Sequence, residues 1–193
     1  MPKIDKAIFK LPTRPSIAGR SSSITNAFIA AVMPIHAPVQ QEIDKALVIL
    51  GMTPENLSCA YCGGKKTEWD HLNPFVIDRE PTGYFSSIYN LVPACGKCNQ
   101  SKGNKKWEPW IRSKHATLPD LEKRIQHLKK YEEWGKLTPL IIRELVGKDE
   151  WQRYMELCAN IIKLMHAAEK EARLIKAKLE AALKGISTQP TYK

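Results

Sequence analysis

The chain has 193 residues, with 30 Lys and Arg against 20 Asp and Glu, a formal net charge of +10 and 43% apolar residues. That is enough apolar chain to bury a core, and the positive excess points to a polyanionic partner, nucleic acid first. No uninterrupted apolar run reaches the roughly 18 residues of a membrane span, and Met1-Pro2-Lys3-Ile4-Asp5-Lys6 lacks the apolar stretch of a secretion signal, so a cytoplasmic protein away from membranes is expected.

Residues 1–23 carry Pro2, Pro12, Pro15, the run Ser21-Ser22-Ser23 and the cations Lys3, Lys6, Lys10, Arg14 and Arg20. They predict a basic arm without regular structure, either a solvated terminus or a grip on phosphates. From Ser23 to Met33 the apolar residues Ile24, Ala27, Phe28, Ala31 and Val32 recur at helical spacing and stop before Pro34. Pro38 opens a second helix through Ile43, Leu47 and Leu50, with Gly51 as its stop signal. Together these form a first region, 1–56.

Between residues 57 and 107 the character changes, with aromatic and β-branched residues alternating with Pro74, Pro81, Gly83 and Pro93. Two strands and a helix are predicted: Thr67 to Leu72, Ser87 to Val92 after a turn at Pro81-Thr82-Gly83, and a short helix beginning after Cys98. Two knuckles, Cys59-Ala-Tyr-Cys62 and Cys95-Gly-Lys-Cys98, bracket this segment. A doubled Cys-x-x-Cys lets four sulfurs face one tetrahedral zinc, and a segment of about 50 residues is too small to fold on packing alone. Disulfides or reduced core cysteines are the competing readings, and the absence of a secretion signal favours metal. The fifth cysteine, Cys158, reads as a buried thiol with no chemistry.

Past Trp107 the chain reads as helical over 108–186, followed by a tail at 187–193. Leu118-Pro119-Asp120 precedes Leu121, Ile125, Leu128 and Tyr131, closed by Gly135, and Thr138-Pro139 starts another helix. From Trp151 the positions Tyr154, Cys158, Ile161, Met165, Ala168, Ala172, Ile175, Leu179 and Ala182 alternate spacings of three and four. This seam predicts a long helix that packs within the chain or pairs with a second copy through residues 151–182. Trp107 and Trp110 are expected in the core rather than stacked on bases, and His36, His115, His127 and His166 are expected solvated or packed, with no ligand cluster nearby.

Asp70-His71 sits on the first predicted strand and Asn99 directly follows the last knuckle cysteine. A carboxylate and an amide oxygen are hard ligands suited to magnesium or manganese, and two protein ligands leave positions for water and a phosphate. His71, with an ordinary pKa of about 6.5, is able to take a proton from an attacking water. Neighbours on a regular strand point to opposite faces, so either the strand ends or bulges at this pair, or the two side chains flank the phosphate from two sides. Asn90, before Leu91-Val92-Pro93, reads as a loop brace. Lys97, Lys102, Lys105 and Lys106 crowd the second knuckle and the helix after it, and are expected on the phosphate backbone.

Cys59-x-x-Cys62, Trp69-Asp70-His71, Tyr89-Asn90-Leu91-Val92-Pro93 and Cys95-x-x-Cys98-Asn99-x-x-Lys102 together resemble the zinc-ribbon-containing HNH, or ββα-metal, endonucleases. The resemblance covers about residues 57–107. It implies His71 as general base, Asp70 and Asn99 as ligands of the catalytic divalent ion, Asn90 as the residue orienting the loop, and Cys59, Cys62, Cys95 and Cys98 as ligands of a structural zinc. Asparagine stands where the name-giving motif ends in histidine, which favours magnesium or manganese over tight zinc at the catalytic position. The expected fold is α+β and mostly helical, a small ββα-metal module embedded between helical segments with a long C-terminal helix. The expected function is metal-dependent DNA cleavage of the restriction or phage-defence kind. A non-catalytic zinc module that binds nucleic acid, or a nuclease of a mobile element or phage, are the alternatives.

Overall fold

The computed structural model describes residues 14–184; Lys3, Lys6, Lys10 and the 187–193 tail lie outside them. The chain is mostly helical, with two small sheets in its middle and a long helix at its C-terminal end. The described residues divide into two units, 26–153 and a second made of 14–25 with 154–184.

In the larger unit, α2 (Gln40–Leu50) opens with the Val39 N–H donating to the Glu42 carboxylate at 2.9 Å, which satisfies one of the free amides of a helix start. It closes at Gly51, whose φ of +67° and N–H bonds to the Leu47 and Val48 carbonyls make a left-handed cap. A Cβ there would also come within 2.7 Å of the His127 ring. The stripe Ala46, Leu47 and Leu50 is buried and α2 packs on α5 (Leu121–Gly135), which contributes Ile125, Leu128 and Tyr131 at helical spacing. Each of these larger side chains removed from water stabilises the fold by about 1.5–3 kcal/mol.

β1 (Glu68–His71) pairs antiparallel with β4 (Leu91–Ala94), setting Trp69 opposite Pro93, Asp70 opposite Val92 and His71 opposite Leu91. β4 lies four residues later than the predicted second strand begins, because Ser87 to Asn90 close a turn in which the Asn90 and Leu91 amides both donate to the Ser87 carbonyl at 3.0 Å. Between them stands a hairpin that the sequence reading lacks, β2 (Val76–Ile77) with β3 (Glu80–Pro81). Its two turn residues, Asp78 and Arg79, have φ of 51° and 67°, the conformation of a tight hairpin turn reached without the usual glycine. The predicted turn at Pro81-Thr82-Gly83 is therefore displaced to residues 78–79.

α3 (Gly96–Lys102) starts before Cys98 rather than after it, and α4 (Trp107–Lys114) tolerates Pro109 because it falls in the first turn, where its missing N–H has no partner to lose. Trp107, Trp110 and Ile111 from α4 join Tyr61, Leu72, Val92, Ala94, Ile125 and Tyr131 in one core that also encloses Cys59 and Cys98. The Tyr131 hydroxyl lies against the Ile88 carbonyl and, at 2.8 Å, the Leu91 carbonyl, tying α5 to the start of β4. The helix predicted from Thr138-Pro139 is reduced to α6 (Ile142–Val146).

The second unit begins with order inside the predicted arm. A 3₁₀ turn (Ala18–Arg20) leads into α1 (Ser21–Val32), which starts two residues ahead of the predicted helix and continues into the larger unit. Within the unit, the Glu169 carboxylate accepts the Ile17 amide at 2.6 Å and the Ser16 hydroxyl at 3.1 Å. Glu169 belongs to α7 (Lys148–Lys184). Of the seam on this helix, Trp151 and Cys158 are buried, whereas Ile175 and Leu179 are 58% and 60% exposed.

Candidate active site and metal centre

The four knuckle cysteines converge: their sulfurs all lie within 4.8 Å of one another, with Cys62 and Cys95 at 3.8 Å. Backbone geometry builds each knuckle. The Cys59 amide donates to the Gly64 carbonyl at 2.7 Å and the Gly63 amide to the Cys59 carbonyl at 2.8 Å, closing the first. Gly63 has a φ of +73°, which favours glycine, and a Cβ on it would meet the Arg124 guanidinium at 2.4 Å and push that side chain aside. The second knuckle forms the entry to α3, with the Gly96 amide donating to the Thr67 hydroxyl at 3.0 Å. Burial pushes the Cys59 thiol up to about 11 and Cys98 well above its ordinary value. Four thiols crowded at this spacing suit a tetrahedral divalent ion, which offsets that cost by holding them as thiolates. His115, which the sequence reading set apart from any ligand cluster, places Nε2 3.4 Å from the Cys98 sulfur. The C-terminal end of α4 carries it there.

β1 and α3 run together so that two pairs of side chains meet. Asn99 and Lys102, three residues apart on α3, face Glu68 and Asp70, two residues apart on one face of β1. The Asn99 amide donates to the Glu68 carboxylate at 2.6 Å, which leaves the Asn99 carbonyl oxygen as the end available to a cation. Asp70, 5% exposed, accepts the Tyr61 hydroxyl at 2.7 Å and lies 3.1 Å from the Lys102 ammonium. Asp70 and Asn99 offer oxygen donors of the kind a hard divalent cation takes, and both Asp70 oxygens are engaged by the Tyr61 hydroxyl and the Lys102 ammonium.

Lys102 departs from the expectation that it contacts phosphate. It is fully buried, and its ammonium also donates to the His71 carbonyl at 2.8 Å and the Gly103 carbonyl at 3.2 Å, so its three protons are spent inside the module. Burial lowers its pKa, and the Asp70 charge opposes that shift. Lys97, Lys105 and Lys106 remain exposed. Trp69, which the sequence reading uses only as part of the motif, is 43% exposed on the same strand face as His71, with the Lys66 ammonium 4.7 Å from its ring centre.

β1 ends at His71, and its side chain leaves on the face opposite Asp70. Nε2 of the ring lies 2.8 Å from the Ser86 hydroxyl, and the Phe75 ring stands edge-on at 5.0 Å. Burial lowers the His71 pKa, Asp70 counters this and Lys102 adds to it. The loop after His71 is held by Asn90, 0% exposed: its side-chain carbonyl accepts the Asn73 amide at 2.9 Å, and its NH2 donates to the Asn73 and Phe85 carbonyls at 3.0 and 3.3 Å. Asn90→Ala would strand these buried backbone groups, and a loss of about 2–4 kcal/mol is expected in urea unfolding.

Residues 59–105 match the HNH endonuclease family. A 63-residue stretch is 40% identical to a CRISPR-associated endonuclease Cas9 of Corynebacterium diphtheriae, covering 31% of this chain and 5% of that protein. No solved structure matches the chain. The knuckles, β1, β4 and α3 are therefore an endonuclease-type module, and the helices on either side lie outside the family match.

Proposed function

We propose that the HNH-type module makes this chain a metal-dependent DNA endonuclease, with His71 as general base, Asp70 and Asn99 as ligands of a divalent ion, Asn90 as the loop brace and zinc in the four-cysteine site. The observation that carries the proposal is the end of β1: adjacent residues place a carboxylate against α3 on one face and an imidazole on the other. It favours the reading in which the two side chains flank one phosphate, a metal on one side and a base on the other. His71 takes a proton from water as the water oxygen bonds to phosphorus, the bond from phosphorus to the leaving oxygen breaks, and that oxygen is protonated from solvent. A magnesium or manganese ion held by Asp70 and Asn99 supplies Lewis-acid stabilisation of the phosphate charge.

The net charge of +10 and the exposed Lys97, Lys105 and Lys106 favour a nucleic-acid backbone as partner. About 140 residues lie outside the module, more than nonspecific cleavage needs, which favours a sequence-selective restriction or phage-defence role. Among the described residues no helix is long and apolar enough to cross a membrane. Pairing of two chains through residues 151–182 has no support from the comparisons and is not needed for hydrolysis.

The test is supercoiled plasmid with magnesium or manganese, with and without EDTA. Wild-type protein is expected to cut, and His71→Ala to lower the rate by at least about 100-fold while zinc content is kept. Because burial lowers the His71 pKa, the base stays neutral further into acid and the rate should fall only below the ordinary histidine value of 6.5. Plasmid that stays intact yet shifts on a gel would favour a zinc-dependent binding module without catalysis.

A further inference from the structure

The family match begins at residue 59, yet a contact to His71 depends on chain that precedes it. Ser86, whose hydroxyl lies 2.8 Å from His71 Nε2, is held by a bridge to Ile35, and its carbonyl accepts the His36 amide at 2.9 Å. The segment after α1 thus fixes the backbone of the residue that meets the ring. Asn90, through the Phe85 carbonyl, fixes the preceding residue from the other side.

We infer that Ser86 is a positioning residue: its hydroxyl oxygen accepts the Nε2–H of His71, locking the ring in one tautomer and leaving Nδ1 as the nitrogen that takes the proton. The inference rests on the reading of His71 as general base, and adds to it the residue that decides which nitrogen acts. An imidazole bonded only to water exchanges its proton between both nitrogens and turns about its side-chain bonds, so a share of its population presents N–H where a lone pair is required. A single acceptor on Nε2 removes that share. The edge-on Phe75 ring limits rotation but accepts no directional bond comparable to that from Nε2–H. Around the pair lies a small apolar cavity of about 120 Å³, lined by Ala30, Met33, Ile35, Phe75 and Phe85, which has room for one added methyl group beside Ser86.

The test uses the full chain, loaded with zinc and labelled with ¹⁵N-histidine, at a pH where His71 is neutral. Its ring signals are identified by their loss in His71→Ala. Wild-type protein is expected to show His71 as the Nε2–H tautomer, Ser86→Ala the averaged signals of a freely exchanging imidazole, and Ser86→Thr the wild-type pattern. In plasmid cleavage, Ser86→Ala should lower kcat by roughly 10- to 100-fold, with KM within about twofold and zinc content unchanged. Ser86→Thr should restore most of the rate. An Nδ1–H tautomer in wild-type protein, or an unchanged tautomer in Ser86→Ala, would overturn the inference. If wild-type protein fails to cut plasmid, the nuclease reading falls, and the ring spectra still decide whether Ser86 sets the tautomer.

Discussion

Replacing Cys98 with serine is expected to release the zinc and unfold most of the 26–153 unit. The module's regular structure is two four-residue strands, a hairpin of two two-residue strands and a seven-residue helix, too little to hold itself together. Zinc held by four thiolates in small peptides contributes about 10–16 kcal/mol, as much as a whole domain has to lose. The loss would spread, because Cys59 and Cys98 belong to the same buried cluster as Trp110, Ile111 and Ile125. Trp110 packs edge-on against Tyr61 at 5.1 Å between ring centres, so near-ultraviolet circular dichroism reads that core directly. Cys98→Ser, or prolonged chelation of wild-type protein, should abolish the aromatic signal and leave less than one zinc per chain by elemental analysis. Cys158→Ala, buried in the other unit, should keep both. A Cys98→Ser protein with full zinc and native aromatic signal would show that the metal is not what holds the unit.

What was legible in the sequence follows from which forces act locally. α5 and the close of α2 agree with the sequence because helical periodicity, Asp120 ahead of the first turn and Gly51 after the last are short-range signals. β4 was displaced because Ile88 and Leu91 look alike to a pattern of alternation. Only the Asn90 and Leu91 amides closing on Ser87, and the pairing of Pro93 with Trp69, show where the strand starts. Pro93, one residue beyond the predicted strand, fits within β4 because it loses one ladder donor and keeps its carbonyl, which accepts the Ala60 amide at 2.8 Å. The long helix was legible from its seam, whereas the cover over that seam depends on surfaces that periodicity does not describe.

The same division holds at the site. Asp70, His71 and Asn99 stood out by motif, and the four cysteines by spacing. Ser86, Tyr61 and His115 did not, because each reaches its partner across a fold whose register no local pattern specifies. Glu68 had a signal that went unused: it is two residues before Asp70, on the same face of β1, as Asn99 is three before Lys102 on α3. Two periods, two for a strand and three to four for a helix, laid side by side predict the pairs Glu68–Asn99 and Asp70–Lys102.

The second of those pairs leads to the other large effect. In buffer without magnesium or manganese, Lys102→Met is expected to destabilise the protein by about 3–5 kcal/mol, because it leaves the buried Asp70 carboxylate with the Tyr61 hydroxyl but no counter-charge, and removes the donor to the His71 carbonyl. Methionine fills much of the lysine stem's volume, so the loss reads out charge rather than a cavity. Adding Asp70→Asn in the same chain should recover most of the stability, since the uncompensated charge is then gone, and urea unfolding of the two single variants and the double one measures that coupling. The same lysine separates two accounts of the motif. If Lys102 touched phosphate, its loss would reduce the salt slope of DNA binding by about 0.9, whereas an internal Lys102 leaves the slope unchanged. Lys105→Met and Lys106→Met, at exposed positions, give the contrasting case: a shallower slope with stability within about 0.5 kcal/mol of wild type. A Lys102→Met protein as stable as wild type but with a weakened salt dependence would return Lys102 to the DNA-binding surface and leave Asp70 needing another partner.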